Sequence, residues 1–189
     1  MKADLARALR RLRPDRITTA PTRRADADLP FVDDRAAVGG PLVLDTCVYI
    51  DVLEGKSPPL VDDLLQRRPI FHLAVILGEL CHAFGRLSPG HPGTAAILAV
   101  LRDTIEDIPR HRVAAPSVGV MMEAGILAGL LFRLGSLPKG REGAAFNDAV
   151  LFLHALEKGQ TVLTRNLQDF DLMAQIAPAG RVLFYRAVS

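Results

Sequence analysis

A short apolar run that ends in an acid constrains the fold of this chain most strongly. Residues 41–44 follow Gly39-Gly40 and are typical of a buried strand, whereas residues 46–53 have the composition of a helix. Asp45 lies at the junction. In an open α/β sheet, ligands bind outside the carboxyl ends of the parallel strands. The sequence therefore predicts that Asp45 lies at a ligand-binding edge.

Strand and helix patterns alternate along the rest of the chain. Strands are predicted at 41–44, 70–73, 113–114, 161–164 and 181–185, and helices at 1–13, 46–53, 58–67, 74–87, 94–107, 117–134, 144–158 and within 166–176. Thr94 and Ser117 are predicted to cap the helices that begin there. This alternation predicts a three-layer α/β/α sandwich around a mainly parallel sheet of about five strands.

Composition separates an N-terminal arm from the remaining chain. Apolar residues make up 49% of the 189 residues, which argues against disorder, and the net charge is only +2. Residues 1–24 hold eight Lys/Arg and two acids, so we predict a basic helix and linker at 1–40 and one domain at 41–189. A packed surface helix and a partner- or RNA-binding arm are both compatible with this pattern.

Two cysteines, Cys47 and Cys81, are too few for a disulfide framework. The sequence shows no signal peptide and no apolar stretch of about 18–20 residues. We therefore expect reduced thiols, no membrane span and a cytoplasmic location.

Four acids lie within or beside apolar segments. Asp45 follows the first strand, Glu79 and Asp148 lie in apolar helices, and Asp169 follows the fourth strand. A buried carboxylate without a partner is costly, and a shared divalent cation would compensate all of them at once. Mg²⁺ and Mn²⁺ prefer such oxygen ligands.

Each acid alone also has a purely structural explanation. Asp45 could cap a helix, Asp148 could complement a helix dipole in a first turn, and Asp169 could be a turn residue. Glu79, in the middle of an apolar helix, is the hardest to explain in this way. The combination of all four favours a site.

The sequence resembles a PIN domain, and more narrowly the VapC-type toxins of bacterial toxin–antitoxin pairs. The resemblance covers residues 41–186 and depends on four segments in order: Leu44-Asp45-Thr46-Cys47-Val48-Tyr49-Ile50, Gly78-Glu79-Leu80, Asn147-Asp148-Ala149, and Thr164-Arg165-Asn166-Leu167-Gln168-Asp169-Phe170. It implies a parallel sheet between helices and a ribonuclease site that depends on Mg²⁺ or Mn²⁺.

The resemblance assigns roles to particular residues of this chain. It implies that Asp45, Glu79, Asp148 and Asp169 are the catalytic, metal-binding acids, and that Thr46, Thr164 and Asn166 orient them. Cys47 and Ala74 depart from the pattern, because the family usually has Asn at the first position and often Ser or Thr at the second. Neither departure removes a carboxylate.

Contacts with RNA and with a protein partner are also expected. Arg133, Lys139, Arg141 and Arg165 could bind the RNA backbone, and a solvated charged loop explains the first three equally well. The resemblance implies an antitoxin that binds near the helices after the first strand. Leu53, Leu60, Val61, Leu64 and Leu65 are apolar enough to line such a groove, although core packing accounts for them equally. We also expect a homodimer.

These observations predict a metal-dependent endoribonuclease, the toxin of a toxin–antitoxin pair. A catalytically silent PIN-like module that binds RNA or protein is the alternative. Phosphotransfer enzymes also place Asp at strand ends, but dehalogenase-type phosphatases need a second Asp where Cys47 stands. Receiver domains need an acid pair near the domain's start, and the sequence offers none there.

Overall fold

Five parallel strands form the central sheet. A computed structural model describes residues 1–188, apart from the side chain of Asp34. The order in the sheet is β3-β2-β1-β4-β5, with every neighbouring pair parallel. The strands are β1 (Leu42–Leu44), β2 (Ile70–Leu73), β3 (Val113–Ala114), β4 (Thr161–Thr164) and β5 (Val182–Phe184). The predicted fold class is confirmed, since helices flank this five-stranded sheet.

The helices lie close to their predicted positions. Ser117 caps its helix as expected, because its hydroxyl accepts a hydrogen bond from the Val120 N–H at 3.1 Å. Gly159, with φ of 65°, ends the helix before β4 in a conformation that favours glycine. The helices are α1 (Lys2–Leu12), α2 (Thr46–Leu53), α3 (Pro59–Arg67), α4 (Ala74–Arg86), α5 (Thr94–Glu106), α6 (Val118–Arg133), α7 (Glu142–Lys158) and α8 (Leu167–Ile176).

Helix α5 differs from its prediction at its N-terminus and on its apolar face. Gly93, with φ of 91°, is the cap residue, and Thr94 is the first helical residue without a capping hydrogen bond. Of the apolar residues expected to share one face, Leu101 is buried but Ile97 is 56% exposed. Ile97 is exposed because α5 packs against α4 on one side and leaves its other side to solvent.

The core is built around β1, β4 and α7. All three residues of β1 and all four of β4 are buried, as expected for parallel strands covered on both faces. Residues 149–155 of α7 are buried without interruption. Gly180 lies against the Phe152 ring, where a Cβ atom would overlap the aromatic carbons. Within residues 1–188, no helix has both the length and the apolar character needed to cross a membrane.

Residues 1–40 pack along the surface of the domain. Ala8 and Leu12 of α1 are buried, and α1 packs on α6. Farther along, Phe31 forms a parallel bridge with Phe184 of the edge strand β5, and the Val32 N–H donates to the Phe184 carbonyl at 2.8 Å. The arm therefore covers the edge strand, which would otherwise leave backbone groups unpaired.

Two ionic contacts fix this arm. The Arg24 Nε and backbone N–H bind the fully buried Asp171 carboxylate at 2.7 and 2.8 Å. In α1, Arg11 Nη1 donates to Oε2 of the buried Glu123 at 3.2 Å. A carboxylate buried this deeply needs such a partner. The arm thus supplies part of the charge compensation of the domain.

Candidate active site

The site lies where β1 and β4 end side by side. Leu44 is paired with Leu163, so the following residues, Asp45 and Thr164, are also neighbours. The strand order reverses between these two strands, since β2 and β3 extend the sheet in one direction and β5 in the other. Such a reversal leaves a crevice outside the carboxyl ends of the strands, which is the usual ligand position in open α/β sheets.

Asp45 is buried at the end of β1. It occupies the cap position of α2, yet its carboxylate makes no capping hydrogen bond. Instead, Oδ2 accepts hydrogen bonds from the Thr164 hydroxyl at 2.5 Å and from the Cys47 thiol at 3.1 Å. The Asp45 side chain therefore does not cap α2, although the sequence allowed that role.

Asp148 and Asp169 are joined by Asn166. The Asn166 Nδ2 donates to Oδ2 of Asp148 at 3.2 Å and to Oδ2 of Asp169 at 3.1 Å, while its Oδ1 caps α8 through the Asp169 N–H. Because α7 begins at Glu142, Asp148 lies beyond its first turn, where a helix dipole has little effect. Asp169 is completely buried, which an ordinary turn residue is not.

Glu79 connects to the other acids through two polar neighbours. The Thr46 hydroxyl donates to Oε2 of Glu79, and Asn147 Nδ2 donates to Oε1 at 2.6 Å. Thr46 adjoins Asp45, and Asn147 adjoins Asp148 in the chain. The sequence did not assign a role to Asn147. The signal that could have indicated such a role is that Asn147 stands beside Asp148 as a second polar residue in an otherwise apolar helix.

The carboxylates are close enough to perturb one another. Burial, followed by the charge of Glu79, raises the pKa of Asp45. Burial, followed by the charges of Asp45, Asp169 and Glu79, raises the pKa of Asp148 to about 9. A proton or a cation relieves this repulsion. The structure thus brings together all four acids that the sequence singled out.

The donor set suits a hard divalent cation. All four groups offer carboxylate oxygens, and Oδ1 of Asp169 is buried without a hydrogen-bond partner. In the described part of the chain, however, no three His, Cys, Asp or Glu side chains already stand in a metal-binding arrangement. Hydrogen bonds to threonine and asparagine side chains hold the carboxylates in their present positions.

Cys47 has a defined contact in this network. Its Sγ lies 3.1 Å from Asp45 Oδ2 and 3.6 Å from the Thr164 hydroxyl. Burial, with the charge of Asp45, raises the pKa of the Cys47 thiol to about 12, so the group is a neutral hydrogen-bond donor at pH 7. The other departure from the family pattern, Ala74, is the exposed first residue of α4.

The four basic residues predicted to bind RNA have different surroundings. Arg133 donates to the Pro14 and Ile17 carbonyls at 2.7 and 2.8 Å, so its guanidinium fastens the N-terminal arm. Lys139 is exposed in the loop before α7. Arg141 pairs with Asp169 at 3.1 Å, and Arg165 pairs with the buried Asp51 at 2.8 Å. Arg141 therefore contacts one of the four site acids, Arg165 contacts an acid outside the cluster, and Arg133 is occupied elsewhere.

Two open cavities adjoin Glu79. One, of about 710 Å³, is lined by Val75, Gly78, Glu79, His82, Ala144 and Asn147. The other is an apolar groove of about 500 Å³ between α2, α4 and α5, lined mainly by Ile50, Leu53, Leu80, Ala83, Ala96, Ile97, Val100 and Leu101. Of the residues proposed for a groove from the sequence, Leu53 lies in it, but Val61 and Leu64 are in the core because α3 packs inward.

Comparison with known structures identifies the fold. Similar chains occur in VapBC2 from Rickettsia felis bound to a DNA fragment from their promoter (15% identity, 77% of this chain and 99% of that chain, TM-score 0.53) and in VapBC-1 from nontypeable Haemophilus influenzae (18%, 76% and 97%, 0.54). A third is FitAcB from Neisseria gonorrhoeae (16%, 76% and 96%, 0.55). No protein-family model matches the chain, and no curated protein is similar to it in sequence.

Proposed function

We propose that this protein is a metal-dependent endoribonuclease of the VapC toxin type. The observation that carries the proposal is the convergence of Asp45, Glu79, Asp148 and Asp169 at the crevice between β1 and β4, with the pKa of Asp148 raised by burial and by the other three charges. Such a cluster at a switch point suits a cation-dependent reaction on a phosphate. The shared fold with chains of VapBC and FitAcB complexes supports the toxin assignment.

The four carboxylates would hold Mg²⁺ or Mn²⁺. A bound cation would supply Lewis-acid stabilisation of the charge that develops on the phosphate and would make water more acidic. The chain's own polar residues keep the acids in place: Thr164 and Cys47 donate to Asp45, and Asn166 donates to Asp148 and Asp169. The site offers no obvious protein nucleophile, which favours direct attack by water on the RNA phosphodiester.

The open cavity beside Glu79 is the proposed entrance for the RNA strand. Its lining combines a carboxylate with His82 and Asn147, and its volume of about 710 Å³ is large enough for a nucleotide. Because Glu79 lines this cavity and Asn147 contacts Glu79 directly, a nucleotide there would lie next to one of the four acids.

A cognate antitoxin is the proposed occupant of the apolar groove. The groove combines apolar residues, among them Ile97 and Val100, which are about half exposed, with the carboxylates of Glu54 and Glu79. This pattern suits an apolar segment that carries a basic residue. The fold likeness to chains of VapBC2, VapBC-1 and FitAcB supports such a partner. The homodimer stays a prediction that sedimentation or light scattering would test.

Cleavage of synthetic single-stranded RNAs tests the activity. The wild type should cleave with Mg²⁺ or Mn²⁺ and stop when EDTA is added, and Asp45→Asn and Asp148→Asn should reduce cleavage to background. Asp103→Asn is the matched control, because it removes an exposed acid on α5. Equal cleavage by the wild type and both site variants would contradict the assignment.

The silent-module alternative predicts a different result in the same assay. Such a protein would bind RNA without cation-dependent cleavage and would tolerate Asn at both positions. Growth arrest on expression, absent with Asp45→Asn and reversed by a co-expressed partner, would distinguish a toxin from a housekeeping nuclease.

A further inference from the structure

A buried acid on α2 forms an ion pair with one arginine. Asp51 of α2 is only 1% exposed. Its Oδ2 accepts a hydrogen bond from the Tyr185 hydroxyl at 2.7 Å and lies 2.8 Å from Nε of Arg165. Tyr185 is itself 3% exposed, so the Asp51 carboxylate and the Tyr185 phenol form a buried, hydrogen-bonded pair next to the guanidinium.

The remainder of that guanidinium faces outward. The Arg165 side chain is 46% exposed. Its Nε is taken by Asp51, but neither Nη nitrogen donates a hydrogen bond to another side chain or carbonyl among those that the structure describes. The two Nη groups form the fork that binds phosphate oxygens in a bidentate manner. Fixing Nε in advance lowers the conformational entropy lost when this fork binds a ligand.

The position of Arg165 in the chain places it at the edge of the acid cluster. Its neighbours are Thr164, which donates to Asp45, and Asn166, which donates to Asp148 and Asp169. The Arg165 backbone N–H also contacts the Cys47 thiol at 3.4 Å. The start of this side chain therefore lies within one residue of the groups that hold three of the four carboxylates.

A cluster of acids repels the polyanion on which it is proposed to act. In addition to the proposed divalent cation, a basic side chain beside the cluster would help to hold the neighbouring backbone phosphates there. Arg141 already pairs with Asp169, and Arg133 binds carbonyls of the N-terminal arm. Arg165, whose backbone adjoins residues that contact the cluster, has a fork that is not paired with any of the four site carboxylates.

We propose that Arg165 binds a backbone phosphate of the RNA strand beside the cleaved bond, and that Asp51 and Tyr185 are positioning residues for its guanidinium. This inference rests on the proposed RNA-cleaving function. It identifies a specific phosphate contact and assigns a purpose to a buried acid that lies outside the four-carboxylate cluster.

The test measures binding of a labelled single-stranded RNA in EDTA over a range of salt concentrations. Each phosphate neutralised on a single strand contributes about 0.7 to the slope of log K against log salt. Arg165→Gln should lower the slope by about 0.7. In the cation-dependent cleavage assay it should raise KM with little change in kcat, because the contact persists in the transition state.

Arg165→Lys and Asp51→Asn test the positioning role. Arg165→Lys keeps the charge and should retain the slope while KM rises, because the planar fork is lost. Asp51→Asn should also raise KM at an unchanged slope, and its effect should largely disappear in the Arg165→Gln background. Arg181→Gln is the matched control, since Arg181 is exposed at the opposite edge of the sheet, before β5. Thermal unfolding identifies any variant that fails to fold.

A wild-type slope and KM in Arg165→Gln would overturn the phosphate contact, and additive effects of Asp51→Asn and Arg165→Gln would overturn the positioning role. A wild-type protein that neither binds nor cleaves RNA would instead overturn the proposed function, and this inference with it. The two failures are distinguishable, because the first appears only in the variants and the second in the wild type.

Discussion

The Thr164 hydroxyl donates a 2.5 Å hydrogen bond to Oδ2 of Asp45 across two adjacent strand ends. Thr164 is fully buried, so water cannot replace this donor. The same hydroxyl accepts the Asn166 N–H at 2.9 Å, which also fixes the start of the loop that carries Asn166. One side chain thus orients a proposed metal ligand and the residue that contacts two others.

Thr164→Val should therefore lower activity without removing any carboxylate. Loss of a group that orients a metal ligand typically costs about 10- to 100-fold in metal affinity or activity. The measurement is RNA cleavage as a function of Mg²⁺ concentration. Thr161→Val, at the other end of the same strand, is the control, and equal behaviour of the two variants would contradict the role given to Thr164.

Asp148→Asn should abolish cleavage while stabilising the metal-free protein. With a pKa of about 9, the buried Asp148 carboxyl is protonated at pH 7, so folding must take up a proton that an Asn side chain does not need. We expect a gain of about 1–2 kcal/mol in the free energy of unfolding, or roughly 2–8 °C in Tm for a chain of this size. Thermal unfolding in EDTA checks this, with the exposed Asp103→Asn as control. A lower Tm for Asp148→Asn would show that the hydrogen bonds of this carboxyl group outweigh the free-energy cost of its protonation.

The stability of the metal-free protein should depend on pH through Asp148. Its pKa is higher in the folded protein than in the unfolded chain, where it is about 4. Folding therefore takes up a proton at pH values between these two pKa values. This contribution is fully present below the unfolded pKa and is lost as pH rises through the folded pKa. Urea unfolding in EDTA from about pH 5 to pH 9 should show the wild type losing stability relative to Asp148→Asn. If the wild type and Asp148→Asn lose stability in parallel as the pH rises, Asp148 is not the group responsible for the pH dependence.

Cation binding should depend on pH with the opposite sign. Carboxylates bind Mg²⁺ and Mn²⁺ in their deprotonated form, and burial with neighbouring charges favours the protonated form of Asp148 and of Asp45. Apparent Mn²⁺ affinity should therefore increase with pH across the same interval, with release of protons on binding. Calorimetry in two buffers of different ionisation enthalpy measures that release, and buffer-independent heats would argue against it.

The N-terminal arm should contribute to stability through Arg24. Arg24→Ala leaves the fully buried Asp171 with only the neutral amide of Gln175 and the backbone N–H of residue 24. We expect a loss of about 1.5–3 kcal/mol, the range for hydrogen bonds to charged groups. Urea unfolding measures it. The control is Arg23→Ala, whose ion pair with Asp26 is exposed and should have a smaller effect. Similar losses of unfolding free energy in the two variants would show that the buried ion pair contributes no more to stability than the exposed one.

Local patterns were sufficient to predict the elements of the fold. Helix α2 and strands β2 and β4 occur at the predicted residues, because apolar runs and alternating turn signals determine such segments directly. The predicted cap of α5 was wrong by one residue. The cap is Gly93, whose backbone is in the left-handed region, and Thr94 is the first residue of the helix. The exposed face of α5 was not predictable, because apolar periodicity does not indicate which neighbour covers it.

The sequence by itself indicated four acids beside apolar segments and the order in which they follow the strands, but it did not single out Asp51 or Asp171, which are also buried. Only the tertiary structure decided that Asn147 and Cys47 hold two of them, that Arg133 serves the N-terminal arm, and that Asp51 and Tyr185 fix Arg165. The reason is sequence distance. Tyr185 and Asp51 are 134 positions apart, and a hydrogen bond between them exists only after the sheet has brought β5 and α2 together.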